Sequence, residues 1–487
     1  MSAPGVPGQP RGARASVKPL AFPQYRIVAA ARWTSAAGSS MAPLALAFGA
    51  LQVGGTATDL GIVLAAGMVS ETLLPLVGGV IGDRYPPRVV QVAGYRLLGL
   101  LQATSAVLLL TGAMRVPYLI ALAVLVGAVT ALSASSGANL IPKTLPEPLQ
   151  GAGVALMSAG INTVKIGGPA VGGLLIAAAG PGWAAAIDAA SFLAAAAFIT
   201  RLRVADPPRT EPSVRESVVA GWAEFRRYRA VVYLTVSGAF VVPLWLATYL
   251  VLGPTYAVDR LGGAAGWGTV VTAFTAGLVT GAAVCLKRPP VRPGWTTCVS
   301  AAVMAGPPMA MAANAPLAVL VAATFAVGAA LNTAIIVWQT WTQQTFAIDV
   351  LNRLTAITGT GQRALVPAAY LAAGPTADRA GMHHTLAAAG VLLIAAAAFP
   401  LAAACVRGLR VRPPAVPDPR TPELSSPPPT AAAADTARPH GPPGHASGRD
   451  ATAGARDLMH ESAPTHVPPA DHHPAEERDA TRDHRHT

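Results

Sequence analysis

The chain reads Gly78-Gly-Val-Ile-Gly-Asp-Arg-Tyr-Pro-Pro-Arg88 at the junction between two apolar runs. One run begins near Leu60 and the other at Val89, so the polar residues occupy a turn too short to leave a membrane surface. Its glycines allow two helices to approach closely, and its arginines favour the cytoplasmic side. Asp83 can pair with a cation or cap the next helix. The stretch therefore predicts a tight cytoplasmic turn between two membrane-spanning helices.

The composition excludes a soluble protein. Of the 487 residues, 52% are hydrophobic and only 12% are charged, with a mean hydropathy of +0.47, whereas soluble domains carry about 25% charged residues. The net charge of +12 does not indicate nucleic-acid binding, because the excess cations lie in short loops between apolar runs, as the positive-inside rule expects. The three cysteines lie in or beside apolar runs and indicate neither a disulfide framework nor a metal site.

A bilayer span needs about 20 apolar residues. Twelve segments meet this requirement, and most of the interior cations fall in alternate loops, which places both termini in the cytoplasm. The predicted spans are 27–51, 60–81, 89–111, 117–139, 151–179, 183–203, 229–253, 267–286, 295–313, 317–343, 355–375 and 383–405.

Polar stretches divide the chain into five parts. We expect a disordered cytoplasmic lead-in over 1–24, six spans over 25–203 and six more over 229–410. The linker 204–228 spaces its apolar residues at helical intervals, which predicts an amphipathic helix on the inner membrane face. Residues 411–487 are rich in Pro, Ala and His and are expected to form a disordered cytoplasmic tail.

The opening stretch resembles the signature of the major facilitator superfamily, which reads G-x-L-A-D-R-x-G-R-R between the second and third helices. Gly79, Asp83, Arg84 and Arg88 match it, while two prolines replace the usual Gly-Arg and should stiffen the turn. The resemblance implies an all-α membrane protein with twelve transmembrane helices in two pseudo-symmetric six-helix halves. It also implies secondary transport, with the four matching residues as a gating motif.

A second stretch, in the fifth span, resembles the G-P-x-x-G-G end of a motif that antiporters of this superfamily carry. Small residues allow close helix contact there and the proline is expected to bend the helix. Val164 stands where that motif has an upstream glycine, so the match is partial. The stretch is also similar to the branch of siderophore and macrolide exporters, and its candidate residues are Asn162, Lys165, Gly168, Pro169, Gly172 and Gly173.

Ionisable residues inside spans are costly and usually face a cavity or a partner. Glu71 is predicted in the outer half of span two, among Val69, Leu73 and Leu74, where it suits either proton coupling or a structural hydrogen bond. Arg32, Arg96 and Asp188 are further candidates for coupling or for lining a cavity, with interhelical contacts as the alternative. Members of the exporter branch often have an acid near position 39, where this chain has Ser39.

These features favour a proton-coupled exporter of small amphipathic molecules such as drugs or natural products. No Gly-x-x-x-x-Gly-Lys-Ser/Thr loop for ATP occurs, and no catalytic constellation, cofactor site or metal site is visible. The expected partners are a small-molecule substrate, protons and the lipid bilayer, with no nucleic acid, for a monomer in the plasma membrane. Two alternatives remain open: an importer of the same superfamily, and a membrane scaffold or sensor that uses the tail as its interaction arm.

Overall fold

The computed structural model describes residues 18–74, 85–138, 141, 143–203, 222, 225–287, 290–346 and 348–411. Within these ranges the regular secondary structure is helical, and no strand occurs among them. The first half of the chain contributes α1 Pro23–Ser39, α2 Ala42–Gln52, α3 Ala57–Leu73, α4 Pro87–Leu110, α5 Val116–Ala138, α6 Glu147–Ala179 and α7 Pro181–Thr200.

The second half has the same kind of helices, several of them interrupted. They are α8 Arg229–Ala247, α9 Gly253–Arg260, α10 Ala264–Lys287, α11 Pro293–Val303, α12 Gly306–Ala312, α13 Leu317–Thr345, α14 Ile348–Arg363, α15 Val366–Ala380, α16 Met382–Ala398 and α17 Ala404–Arg407. Short 3₁₀ turns lie at Lys18–Ala21 and Phe399–Ala402, and a π-helical turn at Thr248–Leu252 joins α8 to α9.

Three predicted spans are broken into pairs of helices at prolines. The second helix of each pair, α2, α12 or α15, begins with a proline in its first turn, at Pro43, Pro307 and Pro367. Proline has no N–H to donate and its ring crowds the carbonyl of the preceding turn, so a helix restarts more easily than it continues. Eight described helices or joined helices are long and apolar enough to cross a membrane. The count of twelve spans therefore stays a prediction.

The two halves pack their helices in the same way. In the first half α3 packs on α5 and α4 on α7; in the second, α10 packs on α13, and α11 and α12 pack on α16. Glycines allow the close approach in both. A Cβ added to Gly127 would overlap the carbonyl of Gly67, and one added to Gly328 would overlap that of Phe274. Small residues at such crossings let helices pack by backbone contact in a lipid environment.

A second sign of internal repetition is the turn before the last span of each half. Gly180 joins α6 to α7, and Gly381 joins α15 to α16, both with φ 88°. Their ψ values of 165° and 147° lie in a backbone region that is essentially restricted to glycine. The two positions are equivalent in the halves, which agrees with the expected pseudo-symmetric arrangement.

The most extensive contacts between the halves join two helix pairs, α3 with α15 and α6 with α10. In the first pair, a Cβ on Gly374 would overlap the backbone of Thr58, and one on Gly61 would overlap the Tyr370 carbonyl. In the second pair, a Cβ on Gly173 would lie 2.9 Å from the Cα of Gly268. We call these two contacts the interhalf seam. They lie toward the helix ends that the sequence predicts to be outside.

Two predicted segments fall mainly outside the described residues. Of the linker 204–228 the structure describes Trp222 and 225–228. The rest of the expected amphipathic helix lies outside the described residues. Phe225 is buried with residues of the second half, including Trp341 and Phe346. Of the tail 411–487, Val411 alone is described.

Candidate functional site

A cavity of about 320 Å³ lies inside the first half, between α1, α2, α3, α4, α5 and α7. Tyr370 of α15 and Leu250 of the π-helical turn contribute from the second half, so both halves form its wall. Most of the lining is apolar, with side chains such as Leu64, Met68 and Leu122. The polar lining residues are Ser39, Glu71, Gln102, Ser105, Thr130 and Tyr370.

Among the described residues that line the cavity, Glu71 is the one with a formal charge. It lies near the end of α3, about 21 Å along the helix axis from Ala57. Its predicted depth, in the outer half of span two, stays a prediction. Of its apolar neighbours along the chain, Val69 is 39% exposed and Leu73 66% exposed on the surface of the protein, and Leu74 is partly buried. Glu71 is itself exposed and is one of the residues that line the cavity.

Asp188 of α7 is a second carboxylate, placed behind the cavity wall and only 1% exposed. The side-chain amide of Gln102, on α4, donates to its Oδ2 atom, and the hydroxyl of Ser39 donates to Oδ1 at 3.4 Å. Both donors also line the cavity. The buried carboxylate is therefore connected to the cavity through two neutral side chains from different helices.

The approach of α1 to Asp188 requires a glycine. A Cβ added to Gly38 would lie 2.6 Å from Oδ1 of Asp188 and 2.8 Å from its Cα. Such distances essentially never occur for real Cβ atoms, so a larger residue would push α1 away. The glycine thus fixes the distance over which Ser39 reaches Asp188.

The other two ionisable candidates do not join the cavity wall as the structure describes it. Arg32 is partly buried on α1, and Arg96 is exposed on α4. Neither is among the described residues that line the cavity with Glu71. The structure therefore brings Asp188 to the site and leaves these arginines off its wall.

Of the gating motif, Arg88 is the member that the structure describes; Gly79, Asp83 and Arg84 lie outside the described residues. Arg88 lies in the first turn of α4, and its guanidinium donates to the backbone carbonyl of Thr200 at the end of α7. It thus connects the ends of two helices within the first half.

The glycines of the span-five motif face two different neighbours. Gly168 and Gly172 pack on the junction of α1 and α2: a Cβ on Gly168 would overlap Ser40, and one on Gly172 would lie 2.9 Å from the Cβ of Met41. Gly173 instead packs on α10, in the interhalf seam. The helix continues through Pro169. Asn162 and Lys165 are exposed one to two turns earlier.

We expect Gly168→Val to weaken or uncouple transport, because its side chain would enter a helix contact without room for it. Overpacking of this kind costs about 1–3 kcal/mol. Gly167→Val is the matched control, since a Cβ at that neighbouring glycine would meet nothing within 4 Å. Transport in vesicles and the melting temperature would be measured for both. Wild-type transport in Gly168→Val would show that α6 adapts without loss of function.

Sequence reasoning missed the residues that connect the site. Gln102 is an uncharged polar residue within the apolar run 89–111, a signal that would have identified it, since such residues usually bond to another helix. Tyr370, Gly61 and Gly374 carry no comparable signal. Their roles depend on which helices of the two halves are adjacent.

Comparisons with known proteins agree with this architecture. At 28% identity over 373 residues, the chain is similar to the multidrug efflux pump Tap of Mycolicibacterium fortuitum, covering 73% of this chain and 89% of that protein. The protein of the same name from Mycobacterium bovis is 29% identical over 377 residues, covering 74% and 88%.

Solved transporter structures share the fold. The nucleoside transporter NupG aligns with a TM-score of 0.59 at 10% identity, covering 78% of this chain and 99% of that one. A bacterial homologue of the human lysosomal transporter Spinster, in an inward-facing and unoccupied conformation, aligns with a TM-score of 0.58 at 13% identity, covering 79% and 97%. The family model of the Major Facilitator Superfamily matches residues 28–369. The chain is therefore a membrane transporter of the Major Facilitator Superfamily.

Proposed function

We propose that the protein is a proton-coupled exporter of small amphipathic molecules. The observation that carries this proposal is the cavity of about 320 Å³, with a largely apolar wall and the carboxylate of Glu71 on it. An apolar cavity with few polar groups suits small molecules that are mostly hydrocarbon. A carboxylate inside a membrane protein suits proton binding, because its charged form is costly there.

The direction of transport is supported by the relatives, whose names describe multidrug efflux pumps. NupG, a nucleoside transporter, shares the fold at low identity and gives no support for either direction. We therefore propose export rather than import, by a monomer in the plasma membrane with no cofactor. The six-helix halves 25–203 and 229–410 would move against one another.

The interhalf seam fits one state of such a cycle. Close backbone contacts join α3 to α15 and α6 to α10 at the ends expected to be outside, and Thr58 donates a hydrogen bond of 2.8 Å to Asp378 there. On the expected inner side, α14 packs on α8 of its own half. We infer that this arrangement closes the outer side. Asp83 and its motif would then act at the inner side in the opposite state.

Everted membrane vesicles with an imposed pH gradient would test the function. We expect vesicles containing the protein to accumulate fluorescent amphipathic compounds from a panel, and to lose them when the gradient is collapsed. Vesicles without the protein are the control. Accumulation that does not depend on the pH gradient would contradict proton coupling. If no compound of the panel accumulates, the proposal of export is wrong.

Deleting residues 412–487 would separate an exporter from a scaffold or sensor. An exporter should keep most of its accumulation in vesicles, because the cavity and the seam lie within 18–411. Loss of transport in a deleted protein that is still inserted at normal levels would contradict this.

The proposed orientation predicts opposite results for two reporter fusions. A fusion after Arg115, between α4 and α5, should report the outside, and one after Arg229, at the start of α8, should report the cytoplasm. Alkaline phosphatase and a fluorescent protein are suitable reporters, since they are active on opposite sides of the membrane. The same result at both positions would show that the span count is wrong.

A further inference from the structure

The cavity wall offers a ligand more hydrogen-bond acceptors than hydrogen-bond donors, and the formal charge of the wall is negative. Apart from the apolar residues, the described lining consists of the Glu71 carboxylate, the Gln102 amide and four hydroxyls. No lysine, arginine or histidine is among the described lining residues. The wall is thus suited to a positively charged group that donates hydrogen bonds.

Asp188 strengthens this bias without touching the cavity. It accepts one of the amide hydrogens of Gln102 and the hydroxyl hydrogen of Ser39. A hydroxyl has one hydrogen and two lone pairs, and a carboxamide oxygen is an acceptor. With its hydrogen committed to Asp188, Ser39 has acceptor capacity left for the cavity, and Gln102 keeps its carbonyl oxygen.

Ser105 behaves in the same way. Its hydroxyl donates to the carbonyl of Leu101, one turn earlier on α4, at 3.1 Å. Ser39, Gln102 and Ser105 therefore each donate a hydrogen bond to an oxygen atom of the protein rather than to the cavity. Thr130 and Tyr370 are hydroxyls that can accept as well as donate.

The cations of the neighbouring helices lie away from this wall. Arg32 precedes Ser39 on α1 by about 10 Å along the axis, and Arg96 precedes Gln102 on α4 by about 9 Å. Lys165 is exposed on α6. A bound ligand therefore meets the charge of Glu71 first. An apolar ligand would displace water from that carboxylate, which is costly unless an opposite charge on the ligand balances it.

We propose that this cavity selects lipophilic amines in their protonated form. The hydrocarbon part would occupy the apolar wall, the Glu71 carboxylate would balance the ammonium charge, and wall oxygens such as those of Ser39 and Gln102 would accept its N–H groups. The inference rests on the proposed function, because it names the substrate class of the same cavity.

Binding of a matched ligand set to the purified full-length protein tests the proposal. The ligands share a phenylhexyl chain that ends in a primary amine, a trimethylammonium group, an alcohol or a carboxylate. We expect the amine to bind about tenfold or more tightly than the alcohol, as charged hydrogen bonds imply, and the carboxylate to bind most weakly. The trimethylammonium ligand should fall between amine and alcohol, because it has the charge but no N–H.

Glu71→Gln should reduce amine affinity to near that of the alcohol and leave alcohol affinity unchanged. Glu147→Gln, a carboxylate exposed in the first turn of α6, is the matched control and should keep the preference. Equal binding of amine and alcohol by the wild type would overturn the proposal, as would equal weakening of all four ligands by Glu71→Gln. Equal binding of amine and trimethylammonium would overturn the part assigned to the acceptors.

The vesicle experiment keeps this inference distinct from the proposed function. If neutral or acidic amphipathic compounds are exported as efficiently as amines, the proposal of export is supported and the proposed preference for amines is wrong. Selective amine binding without gradient-driven accumulation would support the proposed binding site and contradict the proposed export.

Discussion

Replacing Gly374 with valine should hold the transporter open at the interhalf seam and reduce transport at least tenfold. Even a Cβ at this position would overlap backbone atoms of Thr58 on α3, and backbone cannot rotate away as a side chain can. The closed state would lose about 1–3 kcal/mol or more, which shifts its population about tenfold or more. We expect the seam to separate in an outward-open state, so that state should be unaffected.

The shift can be measured with a cysteine at Val63, which is fully buried and lines the cavity. In intact cells, a membrane-impermeant maleimide should label Val63→Cys at least about tenfold faster when Gly374 is valine. Gly359→Val is the control on the same predicted span, since a Cβ there would meet nothing within 4 Å. Unchanged labelling and normal transport in Gly374→Val would show that the seam does not close during the cycle.

The sequence predicts the type of fold because its signals are local. An apolar run of about 20 residues has to form a helix in a membrane, where each backbone polar group needs an internal partner. The predicted runs 89–111 and 317–343 coincide with α4 and α13 to within a few residues. Breaks at Pro43, Pro307 and Pro367 were accessible to the same reasoning, because each proline lies inside a predicted span.

The site was only partly predictable because it depends on distances between helices. Glu71 and Asp188 stand out as acids in apolar runs, and the structure places one on the cavity wall and the other directly behind it. Nothing in the sequence connects Asp188 to Gln102, 86 residues earlier, or Gly374 to Thr58. Arg32 and Arg96 are charged residues in apolar runs as well, but the structure places them off the described cavity wall, at a distance along α1 and α4 from the residues that line it.

Glu71→Gln should abolish accumulation driven by a pH gradient. An antiporter needs a group for which proton and substrate compete, and Glu71 is the charged residue on the described cavity wall. Proton binding from the acidic outside would release a cationic substrate, and proton loss to the cytoplasm would restore the charge that binds the next one. Glutamine keeps the size and the hydrogen-bonding capacity but cannot bind and release a proton in this way. A pH gradient therefore cannot drive transport through this position.

Everted vesicles that are acidified inside would measure this effect, with the variant and wild type at equal levels in the membrane. We expect accumulation by Glu71→Gln to fall to the level of empty vesicles, while the purified variant still binds the phenylhexyl alcohol. Glu71→Asp, which keeps the carboxylate, should retain part of the accumulation, and Glu147→Gln should retain all of it. Gradient-driven accumulation that survives in Glu71→Gln would assign coupling to another group. Asp188 would then be the first to substitute, because its carboxylate reaches the same cavity through Gln102 and Ser39.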